Sequence, residues 1–229
     1  MKKLSVIMPV YNERQTVTEA VTRVLAADVS LEKELIIVDD GSTDGTVDIL
    51  KKISDDRVKL FYHDNNRGKG AALRTGFSEV TGDIVIIQDA DLEYNPDDYR
   101  TVLVPILDGR ADVVYGSRFR GGPQRVLLFW HYMGNRLITF IADMLYNTNL
   151  SDIETCYKAF RRKILDKIKF HSDGFGFEVE FTAKVTRRKY RIYEVPIQYS
   201  GRTYEEGKKL TWREGIIALW LLLKYRISD

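Results

Sequence analysis

The sequence lacks features that would place it in several large protein classes. Cys156 is its only cysteine, so an intrachain disulfide is impossible and the redox compartment stays open. No apolar run approaches the roughly 20 residues that span a bilayer. Residues 1–8 imitate a signal peptide, but Pro9 and the polar pair Asn12 and Glu13 end the apolar stretch too early. We therefore expect a cytosolic protein without a membrane span.

Common nucleotide-binding loops and metal-binding histidine patterns are missing as well. There is no Walker phosphate loop, and no Gly-x-Gly-x-x-Gly follows the first predicted strand, which disfavours kinases, ATPases and dinucleotide dehydrogenases. The three histidines, His63, His131 and His171, are isolated, so we interpret them as structural or surface residues. A net charge of +2 is too small to indicate general nucleic-acid binding.

What the sequence does contain is an alternation of strand and helix patterns. Its 229 residues are 44% hydrophobic and 30% charged, which suits a soluble domain with a substantial core. Strands are predicted at the N-terminus and at 35–38, 58–62, 84–87 and 113–115. Helices are predicted at 17–25, 47–53 and 68–79, with another beginning at Pro96. This alternation predicts a doubly wound, mostly parallel α/β sheet in one domain, 1–229.

Two acidic clusters follow predicted buried strands. Asp39 and Asp40 come after one apolar run, and Asp89 and Asp91 come after another. In open α/β sheets ligands collect at the carboxyl ends of strands, where carboxylates hold a ribose or a divalent metal. The simpler alternative is that such residues only cap the next helix, and we prefer it for Asp44. Two carboxylates one residue apart repel unless a cation lies between them, so the Asp-x-Asp pair predicts a metal site.

The pattern changes after Arg118, where two long apolar helices are predicted. They span 126–146, which contains Phe129 and Trp130, and 212–227, which contains Trp220 between basic residues. Helices that are apolar over most of their circumference, with aromatic and basic residues at their ends, suit a membrane interface. The alternative is that both helices simply pack on the sheet.

Five motifs, in this order and spacing, resemble family 2 inverting glycosyltransferases. They are Pro-Val-Tyr-Asn-Glu at 9–13, the acidic segment 38–46, Arg-Gly-Lys-Gly at 67–70, Asp-Ala-Asp at 89–91 and Gly-Ser-Arg at 116–118. The later segments 152–158 and 202–209 resemble the dolichol-phosphate mannose synthase branch of polyprenyl-phosphate glycosyltransferases. The resemblance covers essentially the whole chain. It implies the GT-A fold of nucleotide-diphospho-sugar transferases. Together with the two apolar helices, the expected fold class is a doubly wound, mostly parallel α/β sheet with C-terminal amphipathic helices.

The resemblance implies metal-dependent, inverting transfer of a hexose from GDP-mannose or UDP-glucose to a dolichyl-type phosphate. Mg²⁺ or Mn²⁺ would be held by Asp89, Asp91 and Glu93, where Glu93 replaces a Gln frequent in this branch. The metal would act as a Lewis acid toward the departing diphosphate. The nucleotide-sugar site implied by the family comprises Pro9, Tyr11, Glu13, Val38, Asp40, Asp89, Ala90, Asp91, Arg202 and Lys208.

The acceptor side follows partly from acid–base chemistry. A monoester phosphate is mostly dianionic at neutral pH, so it needs cations to position it rather than a general base. Arg118 and Arg136 match the family's acceptor-phosphate arginines, and with Asp89 and Asp91 they form the predicted catalytic set. Residues 1–118 would then bind the nucleotide sugar. Residues 119–229 would bind the acceptor and carry the interfacial helices.

Two alternatives remain open from the sequence. One is a family 2 transferase that acts on a sugar or protein hydroxyl, with Asp152 or Glu178 as general base. The other is a non-catalytic protein that binds nucleotide sugars or lipids, against which the intact Asp-x-Asp pair and the basic residues argue. For the main hypothesis we expect a peripheral protein on the cytoplasmic face of a membrane, with a nucleotide sugar and a polyprenyl phosphate as partners and no nucleic acid.

Overall fold

A seven-stranded sheet forms the centre of the computed structural model, which describes residues 2–126, 128–203, 205–207 and 212–228. The strands are β1 (Lys3–Val10), β2 (Glu32–Asp39), β3 (Val58–Tyr62), β4 (Ile84–Ile87), β5 (Val113–Ser117), β6 (Lys158–Arg161) and β7 (Ile192–Pro196). The α-helices are α1 (Val17–Ala26), α2 (Thr46–Leu50), α3 (Lys69–Ser78), α4 (Tyr99–Leu107), α5 (Phe129–Tyr146), α6 (Phe177–Arg187) and α7 (Trp212–Ile227). Short 3-10 turns at Pro96–Asp98 and Arg162–Ile164 precede α4 and follow β6.

The first half of the sheet is parallel, as the sequence predicts. The strand order is β3-β2-β1-β4-β6-β5-β7, and β1 pairs in parallel with both β2 and β4. Strand β4 is buried along its whole length and β2 over nearly all of its length, which explains the continuous apolar runs at 84–87 and 35–38. Helix α3 packs closely on β1, because a Cβ at Gly76 would lie 2.6 Å from the side chain of Ile7.

The second half of the sheet contains elements that the sequence analysis did not predict. Strand β6 runs antiparallel to both of its neighbours, β4 and β5, and β7 pairs in parallel with β5 at the edge. With four residues, β6 is too short to show a clear period, and it includes the buried Lys158. Strands from both sides of residue 118 share this sheet, and the functional division at that residue stays a prediction.

The largest differences between the predicted and observed helix boundaries are in α2 and α5. Helix α2 ends at Leu50, so Ile53 lies beyond it and beyond the short turn at 51–52. Helix α5 begins at Phe129 rather than at Val126, and Val126 is 93% exposed. Asp44, predicted as a cap, accepts a hydrogen bond from the Thr46 N–H at the start of α2.

Helices α5, α6 and α7 enclose a second, smaller core. Its buried members include Ile138 of α5, Val179 of α6 and Leu222 of α7. Both α5 and α7 also expose apolar side chains on their outer sides, so neither has the polar outer face of an amphipathic helix, and that part of the prediction is not confirmed. No helix within the described ranges combines the length and hydropathy of a membrane span. The exposed apolar residues are Phe129, Trp130, Tyr132, Met133, Leu137, Phe140 and Met144 on α5, and Ile216, Ile217, Trp220, Leu223 and Ile227 on α7.

Candidate active site

A cavity of about 380 Å³ opens at the edge of the sheet where the parallel strands end. Because β6 is reversed, its amino-terminal end faces this edge, so residues 154–156 join those that follow β1, β4 and β5. Eight residues of the predicted nucleotide-sugar site line the cavity, and Val38 and Lys208 do not join them. Val38 is buried in a cluster with Ala72 of α3, and Lys208 lies outside the described residues. The eight are Pro9, Tyr11, Glu13, Asp40, Asp89, Ala90, Asp91 and Arg202.

At one end of the cavity, Asp40 organises the loop before α3. Its carboxylate accepts hydrogen bonds from the backbone N–H groups of Arg67 at 3.0 Å and Gly68 at 2.7 Å. His63 bonds the same carboxylate through Nδ1 at 2.7 Å, which agrees with the structural role predicted for this histidine. The carboxylate predicted to contact the nucleoside therefore also fixes the wall of its pocket.

The glycines of the 67–70 motif allow a close backbone contact. Gly68 has φ +98°, a conformation that favours glycine. A Cβ on Gly70 would lie 2.1 Å from the carbonyl oxygen of Ser172, so α3 can approach the 172–174 segment only with glycine there. This contact brings Lys69, the first residue of α3, into the cavity wall.

Lys69 is the counterion of Asp89. Its Nζ lies 2.9 Å from Oδ1 of Asp89 and 3.0 Å from Oε1 of Glu178. Burial opposes its charge, but Asp89 and Glu178 outweigh this effect and raise the pKa of Lys69 well above its ordinary value. Burial, with Asp89 and Glu93 nearby, raises the pKa of Asp91 to about 7. The Asp-x-Asp pair thus lies in a site where negative charge is crowded, as the sequence predicts.

Arg202 is the counterion of the other carboxylates. Its guanidinium lies 3.2 Å from Glu13 and 3.2 Å from Asp91. Glu93 is tied to the same segment, since it accepts hydrogen bonds from the Arg202 N–H at 2.8 Å and from the Tyr199 hydroxyl at 2.7 Å. Glu93 therefore anchors the backbone that carries Arg202, and its predicted role as a metal ligand stays a prediction.

The donor set is compatible with a Mg²⁺ or Mn²⁺ ion that shares its coordination with a substrate. Across the described ranges, no three carboxylate, histidine or cysteine groups are close enough to hold a metal by themselves. Asp89 and Asp91 supply two carboxylates, and Mg²⁺ is commonly bound by one or two carboxylates together with substrate phosphates. The residues present therefore fit a divalent ion that binds with a diphosphate.

Arg118 follows β5 and makes the shortest ion pair among the described residues of the site. It donates to Asp152 through Nε at 2.6 Å and Nη2 at 2.7 Å, and its guanidinium lies 5.1 Å from the ring centre of Tyr199. Asp152 is fully buried and also accepts from Asn135 of α5 at 2.9 Å. Burial opposes ionisation of Asp152, but Arg118 and Asn135 lower its pKa below the ordinary value.

Arg136, the second predicted acceptor arginine, does not line the cavity. It lies on the exposed side of α5, and it has no hydrogen bond or ion pair with any residue that the structure describes. One turn away on either side are the exposed Met133 and Phe140. The structure therefore separates the two predicted arginines, with Arg118 in the cavity and Arg136 on the apolar outer face of α5.

Several lining residues were not predicted to bind a substrate. Glu178, considered only as a base, opens α6, and Glu154 precedes β6. Burial raises the pKa of Glu154 to about 7 against the opposing effect of Arg118. Sequence patterns gave no signal for this placement, because it depends on the reversed β6 and on α6. The other unpredicted lining residues are Val10, Asn66, Gly68, Lys69, Ala72, Tyr94, Cys156, Gly174, Phe175 and Tyr199.

The fold and the cavity define an α/β protein of the GT-A type, in which a strand-end Asp-x-Asp pair lies against Lys69 and Arg202. The glycosyl transferase family 2 model matches residues 5–169, and the chain belongs to this family. The comparisons agree with the fold class and the family resemblance that the sequence motifs indicated.

Known relatives and structures place the chain in context. It is 29% identical over 213 residues to the undecaprenyl-phosphate 4-deoxy-4-formamido-L-arabinose transferase of Salmonella paratyphi A, with 91% of this chain and 63% of that protein covered. The chain thus spans less than two thirds of that relative. Glucosyl-3-phosphoglycerate synthase from Mycobacterium tuberculosis, solved with Mn²⁺, UDP and phosphoglyceric acid, has a TM-score of 0.77 and 20% identity over all of this chain and 80% of its own. At that identity the likeness concerns the fold.

Proposed function

We propose that the protein transfers a hexose from a nucleotide sugar, GDP-mannose or UDP-glucose, to a polyprenyl phosphate. The observation that carries this proposal is the order of groups along one sheet edge. Asp40 follows β2, Asp89 and Asp91 follow β4, and Arg118 follows β5, so a nucleoside pocket, a diphosphate site and an anion site succeed one another. The polyprenyl phosphate in the name of the Salmonella relative supports this class of acceptor.

On the donor side, Asp89 and Asp91 would hold the divalent ion. When bound, the ion supplies Lewis-acid stabilisation to the leaving diphosphate. Lys69 is paired with Asp89, and Arg202 is paired with Asp91. Their positively charged N–H groups would donate hydrogen bonds to the diphosphate oxygens. Pro9, with Tyr11 and Glu13, would form the nucleoside pocket, and Lys208 is proposed as a further diphosphate contact.

On the acceptor side, the surroundings of Asp152 favour a phosphate over a hydroxyl. A hydroxyl acceptor needs a general base. Of the two candidate bases, Asp152 is fully buried and held by Arg118 and Asn135, and Glu178 is paired with Lys69. A phosphate dianion needs only cations, which Arg118 would supply within the cavity and Arg136 at the outer face of α5. Inverting displacement at the anomeric carbon then requires no proton transfer from the acceptor.

The outer faces of α5 and α7 support work at a membrane surface. Trp130 is 81% exposed and Phe129 63%, and Trp220 of α7 is 59% exposed. A polyprenyl tail leaves a bilayer only at a cost of about 0.8 kcal/mol per exposed CH₂. An enzyme with such a substrate is expected to bring its acceptor site to the bilayer, and Arg136 lies on the same apolar face.

A transfer assay with polyprenyl phosphate, nucleotide sugar and Mn²⁺ tests the proposal. Asp91→Ala should lower transfer by about 100-fold or more, because it removes a metal ligand. The fold should survive, since burial and neighbouring carboxylates already disfavour the Asp91 charge. Asp97→Asn, an exposed carboxylate in the following turn, is the matched control and should keep full activity.

Two results would contradict this assignment. Full activity of Asp91→Ala in the presence of a chelator would show that the reaction needs no metal. Sugar-nucleotide binding by the wild-type protein without transfer to any polyprenyl phosphate would favour a hydroxyl acceptor or a non-catalytic binding protein.

A further inference from the structure

The strand order leaves one part of the cavity without an assigned ligand. Along the sheet edge, β6 lies between β4, which carries the Asp-x-Asp pair, and β5, which carries Arg118. If the proposed function holds, the diphosphate lies after β4 and the acceptor phosphate after β5. The sugar that passes between them must then lie beside the amino-terminal end of β6.

Two carboxylates with unused hydrogen-bonding capacity line this part of the cavity. Glu178 is only 5% exposed, and although its Oε1 binds Lys69, its Oε2 is buried with no hydrogen-bond partner among the described residues. Glu154, just before β6, accepts no hydrogen bond from any residue within the described part of the chain. A buried polar atom that lacks a partner costs free energy unless a ligand satisfies it.

We propose that Glu154 and Glu178 form a sugar subsite that accepts hydrogen bonds from the hydroxyl groups of an uncharged donor hexose. Each carboxylate accepts up to four hydrogen bonds, and the hydroxyl groups of a hexose are hydrogen-bond donors. The proposal rests on the proposed function, because it locates the transferred sugar between the diphosphate and the acceptor.

The charges around the subsite select against acidic sugars. Besides Glu154 and Glu178 the neighbourhood contains Asp152, which Arg118 neutralises. Lys158 does not line the cavity, and its Nζ donates to the Thr155 carbonyl oxygen and lies over the Tyr115 ring. A uronic acid would therefore meet two carboxylates, of which Glu178 is already paired with Lys69, and would add a further negative charge beside them.

Calorimetric titration with paired ligands in Mn²⁺ tests the subsite. The probes are UDP with UDP-glucose, GDP with GDP-mannose, and UDP-glucuronate. Glu154→Ala should weaken the binding of the sugar nucleotide about 10- to 100-fold relative to the nucleoside diphosphate alone, the scale of a hydrogen bond to a charged group. Glu178→Gln should act in the same direction, and Glu154→Gln should improve the relative binding of UDP-glucuronate if UDP is the preferred nucleotide.

Several outcomes would overturn the subsite. The subsite is contradicted if the ratio of the affinities for the sugar nucleotide and the nucleoside diphosphate is unchanged in Glu154→Ala and Glu178→Gln. An equal loss of affinity for both ligands contradicts it as well. If Glu154→Ala keeps the affinity ratio but loses turnover, Glu154 acts as a general base and not as a sugar ligand. If the wild-type protein binds none of the nucleotides, both the proposed function and the subsite are contradicted. Glu32→Gln, an exposed carboxylate at the start of β2, is the control and should change no ratio.

Discussion

At the scale of single residues, the cavity is held together by ion pairs that the motifs do not reveal. Arg118 was predicted as an anion-binding residue, and the structure adds that it neutralises the fully buried Asp152. Removing one partner of such a pair leaves an uncompensated buried charge. Arg118 therefore contributes to stability as well as to the proposed acceptor site.

Arg118→Ala should lower the free energy of unfolding by about 3 to 5 kcal/mol, measured by urea denaturation at pH 7. Adding Asp152→Asn to this variant should restore part of the loss, since the amide does not need a counterion. Arg136→Ala, at an exposed position without a partner among the described residues, should stay within about 0.5 kcal/mol of wild type. Equal stability of Arg118→Ala and wild type would show that the ion pair makes no net contribution.

Residue roles differ in how far the sequence could predict them. Asp89, Asp91 and Arg118 each follow an apolar strand directly, so a local pattern places them at the sheet edge. Glu154 and Glu178 reach the same cavity through the reversed β6 and through α6, and no local pattern carries that information. The antiparallel register is a long-range property, which explains why the sequence analysis missed this side of the site.

At the scale of secondary-structure elements, Glu34 links three strands at the end of the sheet opposite the cavity. It lies in β2 and accepts hydrogen bonds from Ser5 of β1, from Lys59 of β3 at 3.0 Å, and from the Thr81 N–H before β4 at 2.8 Å. Burial opposes its charge, but these donors outweigh burial and hold the pKa of Glu34 well below its usual range.

The low pKa of Glu34 sets the sign of its pH dependence. Its stabilising effect should be complete above the unfolded value near 4.5 and should be lost as the pH falls through the lower folded value. Glu34→Gln should therefore cost about 2 to 4 kcal/mol of unfolding free energy at pH 7 and less at pH 3.5, measured by urea denaturation. Glu32→Gln, exposed in the same strand, should change stability by less than about 1 kcal/mol at either pH. A difference that grows toward acid pH would contradict the assignment.

At the scale of the whole molecule, the exposed apolar faces of α5 and α7 are the largest departure from an ordinary soluble surface. The sequence predicted two apolar helices but could not tell whether their aromatic residues pack inward. In the structure each helix has two apolar sides. Ile138 and Leu222 pack in the second core, and Trp130 and Trp220 are exposed on the outer side. Large exposed apolar areas mark interaction sites, and we propose a membrane surface as the partner.

Liposome flotation tests this surface. Phe129→Ser combined with Trp130→Ser should reduce the fraction bound to anionic vesicles about ten-fold or more. The variant lacks the two large apolar side chains that would transfer from water into the bilayer interface. High salt should weaken the binding of the wild type without abolishing it, since the hydrophobic part is not screened. Val104→Ser, at a half-exposed apolar position of α4, should float like wild type. Equal flotation of the double variant and the wild type would exclude these residues as the contact.

The reversed strand β6 also has a consequence for the order in which the chain can fold. Strands β1 to β4 are consecutive along the chain and can pair with one another as soon as β4 exists, because their contacts are comparatively local. Strand β5 cannot join these strands before β6 is present, because β6 lies between β4 and β5. Arg161 of β6 pairs with Ile84 of β4, and Phe160 of β6 pairs with Val113 of β5. Closure of the sheet therefore waits for a loop of high sequence separation, and the strand ends that carry Asp40 and Asp89 should be in place before the one that carries Arg118.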